Sequence, residues 1–366
     1  MKLDKLSLLG FKNLAPCEID LPARLTCLVG ENGAGKTNVL DAVHYLSVGR
    51  GAMGLTDAQN VRHGEEFFMI EGNYTSDSGK PEQIVCSYKS GSKVLKRSGK
   101  DYERLSDHLG LIPLVVVFPS DVFLVSDAAE ERRRYINSFL SQLDRSYLDA
   151  IVRYNNILTQ RNRLLKEPWA HHTNETLEVL DMQMVEYGQR VHEKRAEAIT
   201  RMAPVVAGHY AALSDDSEQV ELTYRSELSE TPFAELLIQN RERDRVNRFS
   251  TCGVHRDDLV MKIGGYPLRK YGSQGQQKSF LVALKLAQYQ LLSKAAGELP
   301  ILLLDDLFDK LDVHRVERLV RLVSGPGFGQ IFITDCNKLR LEGILDRCGE
   351  PYSLLEVADG KITPRQ

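Results

Sequence analysis

The chain has 366 residues, 42% hydrophobic and 27% charged, with a formal net charge of −3 and a pI near 6.3, the make-up of an ordinary globular protein long enough for two domains. A slightly acidic body excludes whole-molecule attraction to nucleic acid, so any such contact must come from a local basic patch. Cys17, Cys27, Cys86, Cys252, Cys336 and Cys348 show no Cys-x-x-Cys spacing, Asp4 and Lys5 interrupt any apolar leader, and the longest apolar run, Leu111 to Phe118, is too short to span a bilayer; reduced core thiols in a cytoplasmic protein with no membrane partner are expected.

Lys2 to Leu9 and Cys17 to Leu21 read as short strands separated by the polar turn Gly10-Phe11-Lys12-Asn13. Lys12 and Asn13 either reach a nucleotide or sit in a solvated turn. Leu25 to Val29 is an apolar run of strand length, and from Asn38 to Leu46 the residues Val39, Leu40, Val43 and Leu46 recur at helical spacing. Between them lies Gly30-Glu31-Asn32-Gly33-Ala34-Gly35-Lys36-Thr37. Strand, glycine-rich loop and helix in this order form a phosphate-binding loop: glycines let successive backbone N–H groups turn inward on a phosphate, and the helix starting near Lys36 adds its positive end. Lys36 is suited to neutralise the β/γ oxygens of ATP and the Thr37 hydroxyl to ligate Mg²⁺. Gly30 to Thr37, with Asn38 behind them, are the candidate nucleotide contacts. Ser47 to Gln59 is irregular, with Arg50 as a weak phosphate candidate.

Phe67 to Tyr74, Gln83 to Tyr88 and Val94-Leu95 alternate apolar and polar residues, which predicts an antiparallel sheet solvated on one side. Leu114 to Phe118 is a continuous run ended by Pro119, as in a buried central strand. From Glu130 onward apolar residues recur at steps of three and four through Leu158, and again from Leu177 to Ala198 after a turn holding Pro168, Trp169, His171 and His172. This predicts a hairpin of two helices of about thirty residues each, an arm of about 45 Å. Thr231-Pro232 predicts the start of a helix running towards Phe249.

Leu259 to Ile263 reads as a strand and Gly264-Gly265 as a turn. Ser273-Gln274-Gly275-Gln276-Gln277 leads into an apolar helix, with Ser273 and Gln276 at capping-box spacing. Ile301 to Asp306 and Gln330 to Asp335 are apolar strands ending in Asp305-Asp306 and Thr334-Asp335, and ligand groups gather at such ends in parallel sheets.

Taken together, the loop Gly30 to Thr37, the set Ser273 to Gln277, and Ile301 to Asp306 followed by Asp309-Lys310-Leu311-Asp312 resemble the Walker A, signature, Walker B and D-loop of ABC-type ATPase heads. The form with Gly253-Val254-His255-Arg256-Asp257-Asp258-Leu259 ahead of the signature, and with Phe11-Lys12-Asn13 near the N-terminus, resembles the RecF family of bacterial recombination mediators, over essentially the whole chain. The resemblance implies an α/β ABC-type head, with a mixed central sheet plus an antiparallel sheet, and an inserted all-helical arm; the corresponding boundaries are residues 1–120 and 249–366 for the head and 121–248 for the arm. It also implies an ATP-dependent homodimer that binds duplex and gapped or single-stranded DNA with RecR and RecO, serving recombinational repair, replication restart and SOS induction. Ser273, Gly275 and Gln276 then contact a nucleotide held by the facing subunit, Asp305 joins Thr37 at Mg²⁺, and Asp305, Asp306 and Lys36 are the catalytic candidates.

Two positions depart from the general ABC pattern. Asp306 stands where a catalytic Glu is usual, and Thr334-Asp335 where a switch His is usual, so slow hydrolysis acting as a release switch is expected. No Gln-loop glutamine is present near Leu114 to Asp121, where Ser120 or Asp121 is a substitute at the metal. A transporter nucleotide-binding subunit is the alternative; it shares the ATPase motifs but lacks a long helical insertion ahead of the signature. For DNA, Lys89, Lys93, Lys96, Arg97 and Lys100 are the favoured patch, with Arg153, Arg161, Arg163 and Lys166 towards the arm tip as the second choice.

Overall fold

The computed structural model describes residues 1–126, 128–167, 171–214, 218–306, 312–349 and 351–365. Pro168, Trp169, Asp309, Lys310 and Leu311 lie outside the described residues, as do the side chains of His171 and His172. The chain divides into two compact units, one of residues 1–121, 212–214 and 285–366, the other of residues 122–211 and 215–284.

The first unit is built from two six-stranded sheets. One is antiparallel, in the order Cys17–Asp20, Lys2–Leu9, Phe67–Thr75, Pro81–Lys89, Ser92–Arg97, Lys100–Asp101. Alternate residues along Phe67–Thr75 are buried, the half-solvated pattern that the sequence alternation predicts. The other runs Lys361–Arg365, Tyr352–Ala358, Leu25–Val29, Ile331–Asp335, Ile301–Leu304, Leu114–Val117, with every pair parallel except the terminal hairpin. The helix Lys36–Val48 is buried along most of its circumference, and its Val39, Leu40, Tyr45 and Leu46 join a core drawn from both sheets. Phe11, Tyr45 and Phe68 meet edge to face with centroids 5.4–5.9 Å apart. All five residues of Leu25–Val29 are buried, and this strand delivers the chain into the phosphate loop. Leu114–Val117 closes the sheet at its edge, not at its centre; its apolar run records the covering of both faces, which a strand of a parallel sheet has even with one hydrogen-bonding side free. Cys27 and Cys86 are buried as expected of core thiols, whereas Cys336 is exposed.

The second unit is mainly helical. Its helices Ala129–Leu143 and Arg145–Leu164 are separated by Asp144, whose side chain accepts from the Ser146 and Tyr147 N–H groups and so caps a new helix where the periodicity alone suggests one continuous rod. The return helix is longer than expected, His171–Ser214, and runs through Pro204. The segment after Pro232 is two short helices, Phe233–Gln239 and Arg241–Asn247, broken at Asn240. One strand of the insertion, Val220–Arg225, pairs with Asp258–Ile263 in a three-stranded sheet. Through that pairing residues 249–284, expected with the head, belong to this unit.

Candidate nucleotide-binding site

The phosphate loop takes its shape from local chemistry. Gly35 has φ of 119°, and a Cβ there would lie 2.9 Å from Asn13 Oδ1 and 2.8 Å from Leu14 Cδ2, so only glycine fits. Asn13 braces the loop from outside: its amide nitrogen donates to the Gly33 carbonyl at 3.1 Å, and its Oδ1 accepts from Asn38 at 2.7 Å. Glu31, Asn32 and Gly33 are exposed, Ala34 is half-buried and Lys36 is 4% exposed. The Lys36 ammonium donates to the Gly30 and Glu31 carbonyls at 2.8 and 3.0 Å, which holds it over the loop and leaves one of its three protons for a ligand.

Thr37 faces the strand end that carries the carboxylates. Its hydroxyl donates to the Asp305 carboxylate, at 2.9 Å to Oδ2, and Thr334 Oγ1 donates to Asp305 Oδ1 at 2.7 Å. Burial pushes the Asp305 carboxyl above its ordinary range and the charge of Asp306 adds to this, while the two threonine hydroxyls and Lys36 act in the opposite direction. A buried carboxylate beside a hydroxyl, next to a phosphate-binding loop, is a hard-oxygen donor pair suited to Mg²⁺, which needs few protein ligands when phosphate and water supply the rest. Asp306 follows with a left-handed φ of 40°, its N–H donating to Thr334 Oγ1 at 2.9 Å. Thr334 therefore fixes both aspartates, a role its place in the sequence does not reveal.

Other expected contacts have other duties. Asp335 is buried against Arg340, at 2.8 and 2.9 Å, and accepts from the Asn337 N–H, so it stabilises a helix start. Asp121 accepts from Phe118 N–H at 2.8 Å and pairs with Lys285 at 3.0 Å, which occupies the carboxylate suggested as a Gln-loop substitute. Asp312 caps the helix Val313–Val323 through the Arg315 N–H. The Arg50 side chain is exposed, and its carbonyl accepts from the His44 ring.

Beside the loop opens a cleft of about 550 Å³ lined by Lys12, Asn13, Thr37, Asn38 and residues sequence reasoning missed, among them Met53, Leu55, Arg62 and His63. Two backbone bonds bring the segments together, Lys12 N–H to Asn60 carbonyl at 2.9 Å and Arg62 N–H to Gly10 carbonyl at 2.8 Å. The ammonium of Lys12 is paired with the buried Asp41 at 2.5 Å. Exposed Met53 and Leu55 with Arg62 and His63 offer an apolar surface flanked by a guanidinium and an imidazole, the kind of wall a nucleoside needs.

In the second unit Ser273 and Gln276 form the expected capping box, with Ser273 N–H donating to Gln276 Oε1 at 2.6 Å and Gln276 N–H to Ser273 Oγ at 3.2 Å. Ser273 is exposed and Gly275 half-buried, so the positive end of the helix Gln274–Ala296 is open to a ligand.

The basic patch proves smaller than its sequence suggests. Lys93 donates to the Gly49 carbonyl and pairs with Asp57, both at 2.9 Å, and Arg97 forks onto Glu82 at 2.6 and 2.9 Å. The register that sets Ile84 opposite Arg97 puts Glu82 on its diagonal, a relation invisible in the linear chain. Lys89, Lys96 and Lys100 remain at the surface, Lys96 loosely paired with Asp101 at 3.4 Å. In the arm Arg161 is fully buried between Asp181 and Asp244, each at 2.6 Å, and cannot track DNA; Arg153, Arg163 and Lys166 are exposed.

A family model described as RecF/RecN/SMC N terminal domain matches residues 2–349. The DNA replication and repair protein RecF of Phocaeicola vulgatus is 45% identical over all of this chain and 99% of its own length. That of Bacteroides thetaiotaomicron is 45% identical over 99% of this chain and 98% of its own. A solved structure of the recombination mediator protein RecF with ATP, in the RecFOR pathway, superposes with a TM-score of 0.88 at 27% identity, covering all of this chain and 98% of that one.

Proposed function

The chain belongs to the RecF family of DNA replication and repair proteins, and on that premise we propose that it is an ATP-dependent DNA-binding homodimer acting in recombinational repair of gapped DNA. The carrying observation is the half-site: each chain holds one phosphate loop with Lys36 and Thr37 set against Asp305, and one capped helix start at Ser273 open to solvent. Two chains related by a twofold axis complete two nucleotide sites, each phosphate loop facing the partner's signature. ATP with Mg²⁺ is the ligand, held by Lys36, Thr37, Asp305 and the loop amides, with the nucleoside in the cleft near Met53 and Arg62.

Hydrolysis is slow and serves as a release switch, because an aspartate at position 306 is one methylene shorter than glutamate and a misplacement of about 1 Å can cost on the order of a hundredfold. Lys89, Lys96 and Lys100 supply phosphate contacts from the first unit. RecR and RecO are the protein partners, replication restart and SOS induction the downstream roles, and the cytoplasm the compartment. The transporter alternative loses ground to the full-length family match, and no helix among the described residues is long and apolar enough to cross a membrane.

Sedimentation with ATP and with ADP, paired with duplex-DNA titrations over a salt series, tests this reading. A dimer and a steeper salt dependence in ATP alone are expected; the same sedimentation and the same DNA affinity in both nucleotides would overturn it.

A further inference from the structure

The segment Gly253 to Asp258 is held in the second unit largely by buried groups. Gly253 has φ of 118°, and a Cβ there would stand 2.6 Å from Tyr154 Oη and 2.8 Å from Phe233 Cζ. The next carbonyl, of Val254, accepts from Arg195 at 2.7 Å, and His255 Nδ1 meets Tyr154 Oη at 2.7 Å. Asp257 takes Arg195 at 2.9 Å and the Tyr224 hydroxyl, and its carbonyl takes Arg133 at 2.9 Å. Asp258 takes Arg132 at 2.6 and 3.2 Å and Arg225 at 3.1 Å. Every polar side chain of the segment is thus turned to an internal partner except one. Arg256 is exposed and has no ion-pair or hydrogen-bond partner for its side chain among the described residues.

The charges around it do not cancel. Three guanidinium groups, of Arg132, Arg195 and Arg225, pair with the carboxylates of Asp257 and Asp258, a fourth, of Arg133, donates to the Asp257 carbonyl, and the charge of Arg256 reaches Arg133. Glu130, which also acts on Arg133, is engaged by Arg134 at 2.6 Å. Burial and the like charges of Arg195 and Arg256 push Arg133 below its ordinary value against the pull of Asp258 and Glu130. Arg132 and Arg195 are buried in their pairs, whereas Arg225 is 71% exposed at its side chain and Arg133 half-buried. The positive charge left over from these pairs therefore opens to solvent at Arg133, Arg225 and Arg256. Planar guanidinium groups fixed in this way match phosphate oxygens.

We infer that Arg256, with Arg133 and Arg225 on the same pair of aspartates, forms a phosphate-binding site in the second unit. The phosphate comes from a nucleic-acid backbone or from a bound nucleotide; the choice of these two sources rests on the function proposed above.

Arg256→Ala and the double variant Arg225→Ala with Arg256→Ala, made in the full chain, test it through duplex-DNA titration over salt and through ATP titration without DNA. If the source is DNA, duplex affinity falls at least tenfold in the double variant, the slope of log affinity against log salt becomes shallower by about 0.9 per lost contact, and ATP affinity is unchanged. If the source is a nucleotide, ATP affinity or ATP-driven self-association falls at least tenfold while duplex binding in ADP is retained. Arg256→Lys restores part of the loss in either case. Both affinities unchanged in the double variant, with or without a drop in thermal midpoint, would overturn the site. Parental protein that binds neither duplex nor ATP would sink the functional reading itself, a failure distinct from parental binding that these variants leave intact.

Discussion

The Thr37 hydroxyl donates to both carboxylate oxygens of Asp305, at 2.9 and 3.1 Å, so the side chain after the phosphate-loop lysine is in direct contact with the first acidic residue after the strand Ile301–Leu304. Asp305 is 2% exposed.

Thr37→Val is expected to weaken ATP binding about ten- to a hundredfold when Mg²⁺ is present and little when it is chelated, the range of one lost bond to a charged group. Lys36→Met loses affinity under both conditions. Asp305→Asn separates stability from function. Because the folded carboxyl is raised above its unfolded value, its ionisation disfavours the fold as pH rises through the folded pKa. The ligand-free variant should therefore melt at or above the parental temperature at neutral pH while losing stabilisation by Mg-ATP. Calorimetry with and without nucleotide reads both effects, and a variant that is destabilised when empty would refute the electrostatic account.

Asp306→Asn should trap ATP-bound dimers, with hydrolysis reduced about a hundredfold or more, the contribution of a positioned general base. Thr334→Val should slow hydrolysis too but by another route: it removes the donor to Asp305 and the acceptor of the Asp306 N–H. That variant should also lose roughly 1–3 kcal/mol of stability for the unpaired buried groups. Single-turnover hydrolysis beside denaturant unfolding distinguishes them. Parental hydrolysis in Asp306→Asn would place the base elsewhere.

Ser273→Arg is expected to abolish the ATP-driven dimer and leave monomer affinity for ATP within a factor of about three. The exposed serine is the cap of the helix Gln274–Ala296, and a bulky cation there blocks a facing phosphate while costing only a cap, about 1 kcal/mol. Ser273→Thr keeps the cap and should dimerise. Sedimentation showing an unchanged dimer in Ser273→Arg would rule out the signature face as the interface.

Legibility followed locality. The phosphate loop and the Ser273–Gln276 capping box are written in consecutive residues whose chemistry is complete within one turn of chain, and the structure has both. The cleft wall at Met53 to His63 escaped because its residues have no periodicity; pairing of Phe11 with Val61 creates it. Asp144 carried a readable signal, a cap residue two positions before Ser146, but helical spacing continued across it and masked the break. Charges were the least legible. A run of lysines and arginines from Lys89 to Lys100 looks like a phosphate track, yet cross-strand register gives Arg97 to Glu82, and a loop carbonyl with Asp57 takes Lys93.

That reassignment is itself testable through pH. Arg97 holds the Glu82 carboxyl down to about 2, against desolvation. A carboxylate depressed in the folded state contributes stability that is fully present above its unfolded pKa, near 4.5, and that fades as pH falls through the folded value. Arg97→Gln should then cost about 1 kcal/mol at pH 7, a value kept small because the arginine is partly solvated. The gap to the parental protein should be constant down to about pH 5, narrow below 4.5 and close near pH 2, as denaturant titrations at each pH would show. Duplex affinity should stay within about twofold of the parental value, since a side chain already committed to Glu82 has little left for a phosphate. A variant with parental stability at pH 7 and a weakened, shallower salt dependence for DNA would return Arg97 to the nucleic-acid surface and make its pairing with Glu82 incidental.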